Sequence, residues 1–146
     1  MGLFQAFNIS ASGMTAQRFR TDIIAENIAN VNTTSTPDGG PYRRKIVTFA
    51  ERQVTPFGQI YSASKNAAIG NGVKVTKVTE DYETDFTMEY DPSNPDADEN
   101  GYVSYPNVNT VTEMTNLIDA TRAYEANANA LDASKSMALT GLRIGK

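Results

Sequence analysis

The residues best placed to do chemistry form an acidic turn. Asp96-Ala-Asp98-Glu-Asn100-Gly101 fits the opening of an EF-hand calcium loop, where alternate oxygens converge on the ion and a glycine makes the sharp turn. Val103 supplies the apolar eighth position. The loop fails at its twelfth position, where Asn107 replaces the bidentate Glu that completes the coordination sphere. Pro92, Pro95 and Pro106 also oppose flanking helices. The segment is expected to be a solvated turn between two strands, without a tight calcium site.

Other reactive constellations are weaker. The chain has no histidine and no cysteine, which removes Ser-His and Cys-His nucleophile pairs, His- or Cys-ligated metals and disulfides. Ser62-Ala-Ser-Lys65 matches the S-x-x-K of a Ser-Lys hydrolase, but no S-D-N or K-T-G string follows it. Arg43, Arg44 and Lys45 are the only basic triplet in a chain of net charge -4, a poor match to a phosphate backbone. Met1-Gly2 begins a myristoylation string that Ala6 breaks, since Ser or Thr belongs there. No cleaved signal is expected, because residues 1–20 lack a basic n-region and a continuous apolar stretch. The residues thus predict no catalytic site, cofactor, metal, nucleic acid or small-molecule substrate.

The elements around these residues are more informative. Leu, Ile, Val and Phe number 29 of 146, about 20%, so the chain is expected to gain part of its burial from partners. In residues 3–32, Leu3, Phe7, Met14, Ile24, Ile28 and Val31 fall on one helical stripe, with Ser10, Gln17 and Thr21 filling its gaps. Gly13 weakens that helix, and a break near Ser12-Gly13 is expected. Residues 33–41 read as a loop. Strands are expected at 45–49, 72–80, 86–90 and 101–105, with Asn71-Gly72 as a hairpin-type turn signal. The last two strands flank the acidic loop and could pair.

Thr110-Val-Thr-Glu113 fits a capping box that opens a second helix, from about 111 to 144. Its stripe runs through Met114, Leu117, Thr121, Tyr124, Ala128, Leu131, Ala138 and Leu142, with Lys135 on the same line. Asn30-Val-Asn-Thr33 ends the first helix and Asn107-Val-Asn-Thr110 opens the second, which suggests that these junctions meet. The expected fold is α+β. Residues 1–34 and 107–146 form paired, coiled-coil-like terminal helices, and residues 35–106 form a small, mostly antiparallel β module. Phe4, Ile118 and Leu139 are left over and need neighbouring subunits.

Several strings resemble flagellar rod and hook axial proteins. They are Ile9-Ser-Ala-Ser-Gly-Met-Thr-Ala-Gln17, Asp22-Ile-Ile-Ala-Glu-Asn-Ile-Ala-Asn30, Tyr105-Pro-Asn-Val-Asn109 and Arg122-Ala-Tyr-Glu-Ala-Asn127. The run Gly39-Gly-Pro-Tyr-Arg-Arg-Lys45 resembles proximal-rod members in particular. The resemblance implies a structural subunit of the basal-body proximal rod, without enzymatic activity and needed for motility. It implies polymerisation through the terminal helices into a hollow drive shaft that transmits torque and conducts exported subunits. Implied partners are further copies of itself, other proximal- and distal-rod proteins, the rod-to-membrane-ring adaptor and the flagellar type III export apparatus. Implied location is the rod within the periplasm, reached without a cleaved signal peptide. Leu3, Phe7, Met14, Ile24, Ile28, Val31, Met114, Leu117, Tyr124, Leu131 and Leu142 are the expected assembly interface. Gly39, Gly40, Pro41, Tyr42 and Arg43 are the expected subtype loop.

Overall fold

The computed structural model describes residues 3–37, 39–52 and 70–144. The element order is α1 (Leu3–Ala29), β1 (Lys45–Glu51), β2 (Val73–Glu80), β3 (Thr87–Tyr90), β4 (Tyr102–Tyr105) and α2 (Thr110–Ile144). The chain is α+β, and its described residues form two long terminal helices and two small two-stranded sheets, β1-β2 and β3-β4. It divides into two compact units. One comprises Arg20–Val47 and Lys77–Asp119; the other comprises Met1–Phe19, Thr48–Thr76 and Ala120–Lys146.

α1 continues without interruption through Ser12 and Gly13, so the expected break does not occur. The entropic cost of one glycine is small against the tertiary contact this one makes with Asn127. The helix ends where Asn30 turns its side chain back, donating from Nδ2 to the Glu26 carbonyl at 2.9 Å. α2 runs for 35 residues, about 50 Å at the usual rise. Its cap differs from the capping box read in the sequence. Asn109 is the cap, with Oδ1 accepting the Thr112 N–H at 3.1 Å, and the Glu113 carboxylate faces inward instead of back along the chain.

Of the expected α2 stripe, Leu117, Ala128, Leu131 and Ala138 are half-buried, and a line of small and polar residues lies beside them. Glu113 and Ala120 are buried and Asn127 and Ser134 half-buried at heptad steps, whereas Met114, Tyr124 and Leu142 are exposed. Small and polar side chains take the close positions because a large apolar one would hold a neighbouring element away.

β3 and β4 pair antiparallel, Thr87 opposite Tyr105 and Tyr90 opposite Tyr102. The Tyr90 and Tyr102 rings meet edge-on with centroids 5.3 Å apart, a favoured aromatic geometry that fixes the register. Between them the acidic segment folds as hydrogen-bonded turns, with Asp98 Oδ1 accepting the N–H groups of Asn100 and Tyr102. Gly72 has positive φ, as Asn71-Gly72 suggested, but it leads into β2 and is not a two-residue hairpin turn. The Ser62–Lys65 string lies outside the described residues.

Replacing Asn109 with Ala should remove the α2 cap and lower stability by about 1 kcal/mol. Thr110→Ala should have little effect, and urea unfolding of the two variants distinguishes Asn109 from the threonine as the cap.

Candidate functional site: a buried polar clasp

Among the described residues, the most deeply buried large side chains are not a hydrophobic cluster. They are Glu113, Val103 and Asn27, each at most 1% exposed. Glu113 projects from the first turn of α2 and Asn27 from the last turn of α1, and both close on the backbone at the start of β1.

Asn27 spends its whole amide on this contact. Nδ2 donates to the Lys45 carbonyl at 2.9 Å and to Glu113 Oε2 at 3.1 Å. Oδ1 accepts the Tyr42 hydroxyl and the Lys45 N–H, both at 2.9 Å. Two donors and two lone pairs are all that an asparagine amide has. By holding both N–H and C=O of Lys45, it acts as a one-residue strand partner.

Asn107 grips the neighbouring residue. Its Oδ1 accepts the Arg44 N–H at 2.8 Å, and its Nδ2 donates to the carbonyls of Asp81 and Thr84, each at 3.0 Å. The side chain that stood at the twelfth position of the calcium-loop pattern is therefore committed to backbone. Asp96, from the same pattern, accepts the Thr34 hydroxyl at 2.7 Å. Among the described residues, no three His, Cys, Asp or Glu side chains are grouped to hold a metal ion.

Charge enters through Arg44. Its Nε and Nη2 donate to Glu113 Oε1 at 3.0 and 2.8 Å, and its Nη1 reaches Asp81 Oδ2 at 3.4 Å. Asn116 adds a fourth donor to the Glu113 carboxylate, at 3.3 Å. A carboxylate this deep costs several kcal/mol to desolvate unless it is paired and hydrogen-bonded on both oxygens, and here it is.

Asp81 and Tyr42 titrate away from their ordinary values in opposite directions. Burial alone would raise the Asp81 carboxyl. Hydrogen bonds from the Thr84 N–H and hydroxyl, the Glu83 N–H and the Arg44 guanidinium outweigh it and hold the group below the usual carboxylate range. Burial, with the carboxylates of Glu26, Glu113 and Glu80 adding, pushes the Tyr42 phenol up to about 12. Next to the clasp, Arg43 is sandwiched between aromatic rings, its Cζ 4.4 Å from the Tyr82 centroid and 4.2 Å from that of Phe86.

Residues singled out in the sequence fall in several environments. Ile24 is buried, while Phe7, Met14, Ile28, Val31, Leu117 and Leu131 are half-buried. Leu3 starts α1. In the loop, Gly39 and Gly40 are exposed with φ of 88° and 83°, Pro41 and Arg43 are half-buried, and Tyr42 is buried. A turn closes the loop, the Gly39 N–H donating to the Thr36 carbonyl and the Thr36 N–H to the Gly40 carbonyl, both at 2.9 Å. Sequence reasoning did not find Asn27, Arg44, Asp81, Asn107 or Glu113 as a cluster. The signal was present in the two Asn-Val-Asn-Thr strings, since Tyr42 bonds Thr33 beside one and Arg44 bonds Asn107 in the other.

Two predictions follow from the charges. Glu113→Ala leaves Arg44 with Asp81 alone and takes one acceptor from the Asn27 amide, and should destabilise the protein by about 3–5 kcal/mol. Glu113→Gln keeps the volume and should cost less, the difference being read from urea midpoints. Because the Asp81 pKa is lower folded than unfolded, its contribution is full above the unfolded carboxylate value and is lost as pH falls through the folded one. The raised Tyr42 pKa acts inversely, its contribution fading as pH climbs from about 10 towards about 12. Asp81→Asn should flatten the acid limb of a stability–pH curve and Tyr42→Phe the alkaline limb.

The arrangement offers no nucleophile with a base, and its chemistry is that of a structural joint. Comparison with known proteins agrees. Residues 7–35 match the family model for flagella basal body rod protein, and residues 99–144 match that for the flagellar basal body rod FlgEFG protein C-terminal region. The flagellar basal-body rod protein FlgC of Borreliella burgdorferi is 46% identical over 99% of this chain and 98% of its own length. That of Bacillus subtilis is 43% identical and that of Salmonella typhimurium 40%, each over the full length of both chains. With most of α1 and all of α2 inside matched segments and full-length identity at this level, the chain belongs to the FlgC family of flagellar basal-body rod proteins, structural subunits of the rod.

Proposed function

We propose that this rod subunit occupies the proximal rod and polymerises through α1 and α2 into a hollow shaft that carries torque and passes exported subunits, without catalysing a reaction. The observation that carries the reading is apolar surface left open on both terminal helices. Phe4 is 79% exposed, Val111 74%, Leu142 73% and Ile144 81%, with Met114, Ile118, Met137 and Leu139 at half or more. Scattered apolar residues are normal on any surface, but this many on two helices suit burial by neighbours. No histidine or cysteine is available for catalysis.

In this reading, residues 1–34 and 107–146 form the inner, polymerising layer and residues 35–106 the outer β module. The interface is built from Leu3, Phe7, Met14, Ile24, Ile28, Val31, Met114, Leu117, Tyr124, Leu131 and Leu142. Neighbours are further copies of the chain, other rod components and the rod-to-ring adaptor, after delivery by the type III export apparatus. The loop at Gly39, Gly40, Pro41, Tyr42 and Arg43 meets one of these neighbours. Its outer part is exposed while Tyr42 anchors it, which suits a recognition loop on a fixed base.

Tyr124→Asp and Leu131→Asp should each abolish rod assembly and swimming while the protein is still expressed. Deleting residues 36–40 should block rod growth without unfolding the β module. Swimming in both Asp variants would defeat the helix interface, and normal rods from the deletion would reduce the loop to a connector.

A further inference from the structure

Ser12 and Gly13 occupy adjacent positions on α1, and each meets a different element of the unit that contains them. The Ser12 hydroxyl donates to the Ile9 carbonyl at 2.7 Å and accepts the Val73 N–H at 3.1 Å, which terminates the first residue of β2 on helix α1. Gly72 precedes it with φ of +94°, and a Cβ there would stand 2.2 Å from Ser12 Oγ and 3.5 Å from Ile9 Cα. Gly13 faces α2. A Cβ there would stand 2.6 Å from Asn127 Oδ1 and 2.9 Å from its Cγ. Asn127 Nδ2 donates to the Ala123 carbonyl at 2.7 Å, a bond that swinging the amide aside would break.

We propose that Ser12-Gly13 is a register key for the terminal helices: the absent Cβ of Gly13 is the socket for Asn127, and the Ser12 hydroxyl is the stop for β2. Gly13 is the only glycine between Leu3 and Ala29. Sliding α1 by one residue brings Ser12 or Met14 to the socket, and sliding it by a heptad brings Ala6 or Arg20. All of these carry a Cβ. Only one register leaves room for the Asn127 amide.

A key sharpens a seam that is only partly apolar. Glu113, Ala120, Asn127 and Ser134 repeat at seven-residue steps on the inward side of α2, with Leu117 and Leu131 half-buried beside them. Small side chains permit close approach but fit equally well one turn away. A polar residue in a helix seam is an established way to specify register at some cost in stability. Ser12 then couples the helix register to the ribbon, so one turn of α1 fixes both neighbours.

The key has an effect opposite in sign to that of helix propensity. Alanine is a better helix former than glycine, so Gly13→Ala strengthens an isolated helix and harms the protein only if the socket matters. The test places full-length variants in cells whose chromosomal copy is deleted and reads swimming haloes together with rods in isolated basal bodies. Gly13→Ala should lose both. Asn127→Ala empties the socket and weakens the register without a clash, so it should still swim with smaller haloes, and Gly13→Ala with Asn127→Ala should regain swimming to that level, with rods. Gly72→Ala should be lost too, but Ser12→Ala should not rescue it, because positive φ disfavours any side chain there. Degradation of Gly13→Ala in the cell still counts for the key if Asn127→Ala restores the protein. Parental swimming by Gly13→Ala, paralysis of Asn127→Ala alone, failure of the double variant, or rescue of Gly72→Ala by Ser12→Ala would each overturn the proposal.

Discussion

One buried carboxylate sets the terms for the centre of this protein. Glu113 is removed from water at the first turn of α2, where the helix dipole favours a negative charge but supplies far less than desolvation takes away. Its oxygens must be met by protein. Arg44 brings the charge and two of the donors, Asn27 and Asn116 bring one each, and Asp81 shares the guanidinium. Those partners come from the end of α1, the start of β1 and the segment after β2. Satisfying one carboxylate therefore requires four distant stretches of chain to be in place together, which makes the clasp a test of correct folding as well as a joint.

A polar centre follows from the composition. With large aliphatic and Phe side chains at about a fifth of the residues, the chain cannot enclose a wide apolar core. Among the described residues, the buried apolar positions are Ala16, Ile24, Tyr42, Val103, Val108 and Ala120. Other large apolar side chains sit on helix surfaces, at Phe4, Val111 and Leu142. Specific hydrogen bonds hold the centre of the protein together, and large apolar side chains remain exposed on the helices. The division suits a subunit of a filamentous assembly, because directional bonds fix the shape of the part and non-directional burial fixes its place among others.

What could be read from the sequence divides along the range of the interactions. Periodicity and turn residues mark both helices, all four strands and the pairing of β3 with β4, because each rests on neighbours within a few residues. Two local readings were displaced by distant contacts. Gly13 looked like a helix breaker and is a packing site, and Glu113 looked like a capping residue and is a charge centre, leaving Asn109 to cap. In each case the deciding partner lies far along the chain, Asn127 for the glycine, Asn27 and Arg44 for the glutamate. The exchange of Met114 for Glu113 at the start of the α2 line has the same origin, since exposed Met114 is more apolar than buried Glu113 and hydrophobicity alone selects it. The Asn-Val-Asn-Thr strings did point to the right region, because asparagines near helix ends are suited to gripping a passing backbone.

The double grip on Arg44 and Lys45 has a mechanical consequence. Asn27 holds Lys45 by both its backbone groups, and Asn107 and Glu113 hold Arg44 by backbone and side chain. Pulling β1 along its own axis loads these bonds in shear and nearly simultaneously, so they resist as a bundle instead of peeling one after another. Resistance of this kind is governed by the barrier to the first concerted rupture and not by the equilibrium strength of any single bond. Releasing the start of β1 therefore requires bonds from Asn27, Asn107 and Glu113 to break close together.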